Sequence, residues 1–194
     1  MPCFTLAEVP SLIAFGAYCG DRIPLVMVDW DWDRDRAPWR WPNGEQTLTV
    51  NLDGLPQDVV RSADPVVIGL ELSATVTDKQ VAAMVGTRRS ADIRIRSKTP
   101  ANPRAGLLRA VGDTIVVRNA VRQVIGSLTS TRPMMETLHV FVAASCSGSV
   151  TFGQELELRN LRAVQTYRFR PGREAEAYSE GILLESGRWR ARFM

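Results

Sequence analysis

Histidine is almost missing from this chain: His139 is the single one in 194 residues, beside three cysteines (Cys3, Cys19, Cys146) and two lysines. One histidine and three cysteines without a C-x-x-C spacing offer no zinc ligand set and make a Ser-His or Cys-His nucleophile a poor expectation. Such sparse cysteine usage fits a reducing, cytoplasmic compartment. Glycine-rich and catalytic signatures are absent too: no G-x-G-x-x-G, G-x-x-x-x-G-K-[ST], G-x-S-x-G or H-E-x-x-H occurs. Glu155 and Glu157 lie two apart on an expected helix and do not share a face. Long apolar runs are lacking as well. The longest uncharged stretch, 137–154, is full of Ser, Thr and Gly, so no membrane span is expected. Residues 1–20 have no basic start and contain Glu8, which argues against a secretory signal. These absences leave no expected metal or cofactor and no enzyme active site.

What is present is ordinary globular material, 45% hydrophobic and 23% charged, long enough for one domain with a real core. The formal net charge of +3 hides a sharp asymmetry. Residues 1–35 carry six acids against Arg22 and Arg34, whereas residues 88–132 carry nine arginines and Lys98 against Asp92 and Asp113, a local +8. The preference for arginine over lysine reflects codon usage. The local excess is what invites an anionic partner.

The segment 30–41, WDWDRDRAPWRW, alternates aromatic, acidic and Arg residues before the turn Pro42-Asn43-Gly44. It is either an aromatic surface for a partner chain or, more simply, a solvated loop whose tryptophans pack on the domain. Residues 1–44 thus form an acidic, aromatic lead-in to a domain at 45–194. Within that domain, strands are expected at 46–52, 66–72, 93–97, 138–144 and 164–169. Helices are expected from Thr77-Asp78 to about Val85, from Asp113 through Leu128, and from Ser147 to about Arg159. Alternation of this kind means an α/β fold with a mainly parallel sheet. Arg94 and Arg96 share one strand face and are expected to meet solvent, as are Arg118 and Arg122 on their helix. His139, inside an apolar strand, reads as a satisfied core histidine.

An internal repeat is visible. VVIGLELS at 66–73 and LHVFVAAS at 138–145 are apolar strands ending in serine at an offset of 72, and Arg94-Ile95-Arg96 and Arg168-Phe169-Arg170 repeat at 74. The agreement points to duplication of one strand-helix-strand unit, with halves at about 45–110 and 111–194. In open α/β sheets ligands bind beyond the carboxyl ends of strands, near helix N-termini that favour anions. Both repeats deliver small-residue loops there, Leu72-Ser73-Ala74-Thr75 and Ala144-Ser145-Cys146-Ser147. They are either a pair of ligand-cradling loops or plain helix caps. The stretch 97–109 adds Lys98, Arg104 and Arg109, with two prolines limiting its freedom.

The segment LHVFVAASCSGSVTFGQ at 138–154, followed by VQTYRF at 164–169, resembles the signature of the SAVED domain. Gly153 matches that family's helix glycine and Tyr167 its strand tyrosine; Ser145 stands where the family loop often has proline. The resemblance, spanning 45–184, implies two fused Rossmann-like (CARF-like) half-units, pseudo-twofold related, with mainly parallel sheets. It also implies a sensor of a cyclic oligonucleotide second messenger in antiphage signalling, CBASS or type III CRISPR, that assembles head-to-tail on binding ligand. The effector is expected on another polypeptide or outside this chain. A cyclic tri- or tetranucleotide, such as a cyclic oligoadenylate, would place its phosphates near Ser73, Thr75, Ser145 and Ser147, with Lys98 and Arg104 neutralising charge. Leu72, Ala74, Ala144, Cys146 and Gln154 complete the expected binding set. Two rival readings are a small phosphodiesterase that cleaves such a messenger and a nucleic-acid module using 88–132, though that segment lacks interleaved aromatics.

Overall fold

Apolar, β-branched runs with no alternation belong in strands buried on both faces, and the centre of the molecule is built from them. A computed structural model describes residues 2–4, 7–20, 22–23, 25–29, 41, 46–99, 101–156, 158–170 and 177–185. Strands β3 (Thr49–Asp53), β4 (Val66–Glu71), β5 (Ala91–Thr99), β6 (Thr137–Ala143), β7 (Ala163–Phe169) and β8 (Tyr178–Glu185) form one sheet in the order β3-β5-β4-β6-β7-β8. The inner four strands are parallel; β3 and β8 close the two edges antiparallel. A small parallel pair, β1 (Pro2–Phe4) and β2 (Val26–Val28), stands apart from it.

Helix α2 (Asp78–Val85) packs its Val81 with Val67, Phe141 and Tyr167 on one face of the sheet. Helices α3 (Val111–Thr131) and α4 (Cys146–Gln154) cover the other, with α1 (Val9–Cys19) laid over α4. The opposite placement of α2 and α4 follows from handedness: right-handed crossovers that run outward in opposite directions put their helices on opposite faces. A pseudo-twofold along the strands therefore relates β4-α2-β5 to β6-α4-β7. The two repeated strands lie side by side, paired Val66 with Leu138 through Glu71 with Ala143, a register equal to the sequence offset of 72. The halves thus share one continuous sheet. Their edge strands differ in chain order, since β3 precedes its unit and β8 follows.

Several element limits differ from expectation for identifiable reasons. Asp113 is not the cap of α3 but sits in its first turn, fully buried. Its carboxylate accepts the backbone N–H groups of Thr47, Leu48, Arg109 and Ala110 at 2.9–3.0 Å, tying the approach to β3 to the start of α3. Valines 117, 121 and 124 and Leu128 are completely buried along that helix, each contributing roughly 1.5–3 kcal/mol. Helix α4 ends at Gln154, short of Arg159. Strand β5 runs on to Thr99, so Lys98 lies in the strand rather than in the following loop. Of the segment 30–41, only Trp41 falls within the described residues; its indole N–H donates to the Met27 carbonyl.

Candidate functional site

Beyond Glu71 at the end of β4 the chain makes a loop before Thr77, which caps α2 through a reciprocal pair of hydrogen bonds with Gln80. Ser73 is therefore not a helix cap. Its N–H and that of Leu72 both donate to the Ala143 carbonyl at 2.7 and 2.9 Å, so the ends of β4 and β6 are stitched together. Leu72 is buried in the core and offers a ligand no side chain. Its carbonyl accepts the Arg104 N–H at 2.9 Å, which draws the loop after β5 onto the same edge. Ser73 is half-buried, and Ala74, Thr75, Lys98 and Arg104 are exposed there.

The loop after β6 is different. Ser145 is the N-cap of α4, its hydroxyl accepting the Gly148 N–H at 3.4 Å and lying 3.2 Å from the Ser147 hydroxyl. Ala144 and Cys146 are half-buried beside it. Ser147, expected near a phosphate, is fully buried and already occupied: Asp29 accepts its N–H at 2.8 Å and its hydroxyl at 2.6 Å. An internal carboxylate fills the place where the helix dipole favours an anion. No local signal reveals this partner, 118 residues upstream.

Pairing in space consumes most of the basic segment. Arg88 binds Asp64, Arg89 binds Asp92, Arg118 and Arg122 both bind Glu155, and Arg132 donates to the carbonyls of Asp58, Ser90 and Thr131. Arg94 departs most from expectation. Instead of meeting solvent it is 4% exposed, bonded to Glu71, Asp78, Asp92 and the Val76 carbonyl. Burial alone lowers the pKa of Arg94, but the hydrogen bonds and charges of Asp92 and Glu71 outweigh it and hold it above its ordinary value. Arg96, half-exposed, is tied to the same Glu71 and to Asp53. Two sequence features could have flagged the cluster: Glu71 inside a buried apolar strand needs a cation, and Gly69 marks a close approach. A Cβ at Gly69 would stand 2.9 Å from the Arg94 side chain, so its absence lets Arg94 lie across β4. Among the described residues, Lys98, Arg104 and Arg109 make no ion pair, and all three are exposed around the carboxyl edge.

Next to the charged cluster, the α2 face carries a row of rings. Phe141 stacks on Tyr167 at 4.2 Å and 6°, Tyr178 meets Phe141 edge-on at 5.1 Å, and Phe169 meets Tyr178 at 5.4 Å. Burial, with a smaller effect of Glu71, pushes the Tyr178 phenol up to about 12. His139 Nδ1 lies 2.7 Å from the Tyr167 hydroxyl, and burial lowers its pKa. The half-buried ring is thus hydrogen-bonded within its strand neighbourhood, as its sequence context implies, but lies at the margin of the core.

Gln154 is not brought to this edge. At the opposite end of α4, it donates to the Gly20 carbonyl and accepts from Arg118, and it lines a cavity of about 540 Å³ with Tyr18, Arg22, Arg122, Glu155 and Arg159. The C-terminal ends of α1 and α4 face that cavity, and their negative dipole ends oppose an anionic ligand. Among the described residues there is no metal-ligating cluster, and no helix is long and apolar enough to cross a membrane.

The model of the SAVED family, the SMODS-associated and fused to various effectors sensor domain, matches residues 2–184. No curated protein matches the chain. Among solved structures, it is similar to the Cap4 SAVED/CARF-domain containing receptor of Acinetobacter baumannii with the cyclic trinucleotide 3'3'3'-cAAA. The TM-score is 0.59 at 13% identity, covering 92% of this chain and 37% of that one. The same receptor with 2'3'3'-cAAA gives 0.58 at 12% identity, covering 89% and 36%. Identity at this level speaks to fold, and the chain spans little more than a third of those receptors. With the family match running over nearly its whole length and a six-stranded, mostly parallel sheet flanked by helices, the chain belongs to the SAVED family of sensor domains.

Proposed function

We propose that this domain senses a cyclic oligonucleotide, a cyclic tri- or tetranucleotide of the oligoadenylate class, held over the carboxyl edge of the sheet. The observation that carries this reading is that, among the described residues, Lys98, Arg104 and Arg109 make no ion pair while their neighbours in the basic segment are engaged, and the Arg104 N–H binds the Leu72 carbonyl at the loop 72–75. Exposed cations beside exposed hydroxyls and backbone fit a ring of phosphates. Ser73, Ala74, Thr75, Lys98 and Arg104 form the contact surface, with Ala144, Ser145 and Cys146 at its rim. Leu72, Ser147 and Gln154 support the fold around it. The cyclic trinucleotides named with the Cap4 structures are consistent with this ligand class.

On this reading the domain works in the cytoplasm in antiphage defence. Bound ligand completes a surface for head-to-tail assembly with a second copy, and the response is delivered by an effector carried elsewhere. Calorimetry against cyclic and linear adenylates and other cyclic oligonucleotides tests it. Micromolar or tighter binding of a cyclic species, with a larger particle by light scattering, is expected. Absence of such binding by every cyclic species overturns the proposal, and linear products would transfer the chain to the phosphodiesterase class.

A further inference from the structure

We infer that Phe169 is the platform on which one base of that ligand stacks; the inference rests on the cyclic-oligonucleotide reading and adds the base-reading contact that loops and cations do not supply. Among the described residues, two aromatic rings are largely exposed, Tyr18 at 69% and Phe169 at 53%. Tyr18 belongs to the cavity at the far end of α4. Phe169 is the last residue of β7, at the carboxyl edge of the sheet that also carries the small-residue loops and the exposed Lys98 and Arg104.

The ring is held in place. Phe169 and Tyr167 are two apart and share the α2 face. Tyr178 buttresses Phe169 at 5.4 Å and 63°, and is itself fixed against Phe141, which stacks on Tyr167. A buried series of rings thus ends in one that water still reaches. Continuing the β6–β7 register places Phe169 beside Ala143, whose carbonyl binds the Ser73 N–H. On that register Phe169 and the loop at 73–75 are separated by β6, two strand spacings or roughly 10 Å. A flat group lying on Phe169 therefore has hydroxyls and backbone within one nucleotide's reach. In sequence the ring is flanked by Arg168 and Arg170, cations that suit a phosphate-bearing base.

The test uses the whole chain and a cyclic triadenylate in which one adenine is replaced by fluorescent 2-aminopurine. Stacking quenches this probe, and calorimetry supplies the affinity. Phe169→Leu keeps the apolar volume but removes the ring; it is expected to lose most of the quenching and at least about fivefold in affinity, the low end for one base stack. Phe169→Tyr is expected to retain both, and Tyr18→Leu, at the opposite end, to match the original protein. Wild-type affinity and quenching in Phe169→Leu overturn the inference while leaving the sensor reading intact, as does an equal loss in Tyr18→Leu. If no cyclic species binds the original chain, the sensor reading itself falls, and this inference with it.

Discussion

Gly16 of α1 and Gly153 of α4 form a reciprocal contact. A Cβ on Gly16 would stand 2.2 Å from the Val150 carbonyl oxygen, and one on Gly153 would stand 2.2 Å from that of Ile13. Each helix has its glycine where the other's backbone passes, so the axes come closer than side chains allow. Overpacking a core by a methylene costs about 1–3 kcal/mol, and here the obstruction is backbone, which cannot rotate aside. Gly153→Ala and Gly16→Ala are each expected to lose at least about 3 kcal/mol in urea unfolding. A loss below about 1 kcal/mol would show that the helices separate without penalty.

The charged cluster beneath α2 should respond as a unit. Removing Glu71 leaves Arg94 buried with one fewer counter-charge, and breaking a buried pair typically costs about 3–5 kcal/mol. Glu71→Met is expected to be strongly destabilising, and Arg94→Met added to it to recover part of the loss. Strict additivity in the double-mutant cycle would mean the two do not interact.

Acid should weaken the fold partly through His139. Its pKa in the folded protein lies below the ordinary 6.5 because partial burial takes the ring out of water. Between those two values the unfolded chain binds the proton and the folded one does not, so stability from this group is full above 6.5 and is lost as pH falls toward the folded value. His139→Gln is expected to lose less melting temperature than the original protein between pH 7 and pH 5. Identical losses would remove His139 from the account.

Ligand affinity should depend on the cations that make no ion pair among the described residues. Lys98→Ala and Arg104→Ala are each expected to weaken binding of a cyclic triadenylate by about tenfold or more, the scale of one charge-assisted hydrogen bond, and to leave unfolding unchanged. Arg88→Ala, removing a cation held by Asp64 near the amino end of β5, is expected to leave affinity as it was. Equal effects at all three positions would indicate general screening rather than a site.

Continuous apolar runs and a 3.6-residue period made β4, β6 and α3 legible, because burial on both faces or on one stripe writes itself into local order. The offset of 72, read in the sequence as a duplication, is also the register in which β4 and β6 pair. The burial of Arg94 is not legible in the sequence, because its partners come from β4, from its own strand and from the start of α2, and no window around position 94 contains them all. Ser147 and Gln154 were expected to contact ligand because small and polar residues at a helix start or within a family motif fit that role. Their partners Asp29 and Gly20 lie 118 and 134 residues away in sequence.

The seam between the halves also limits how a signal can leave the domain. Six consecutive register pairs, from Val66 with Leu138 to Glu71 with Ala143, bind the repeats into one slab. A hinge there would have to break a hydrogen-bonded ladder at the centre of the core, so the halves cannot rock against each other as separate lobes do. On the sensor reading proposed above, a ligand's effect would therefore travel through the rim, by reordering the 72–77 and 101–110 segments or by offering its own surface to a second molecule.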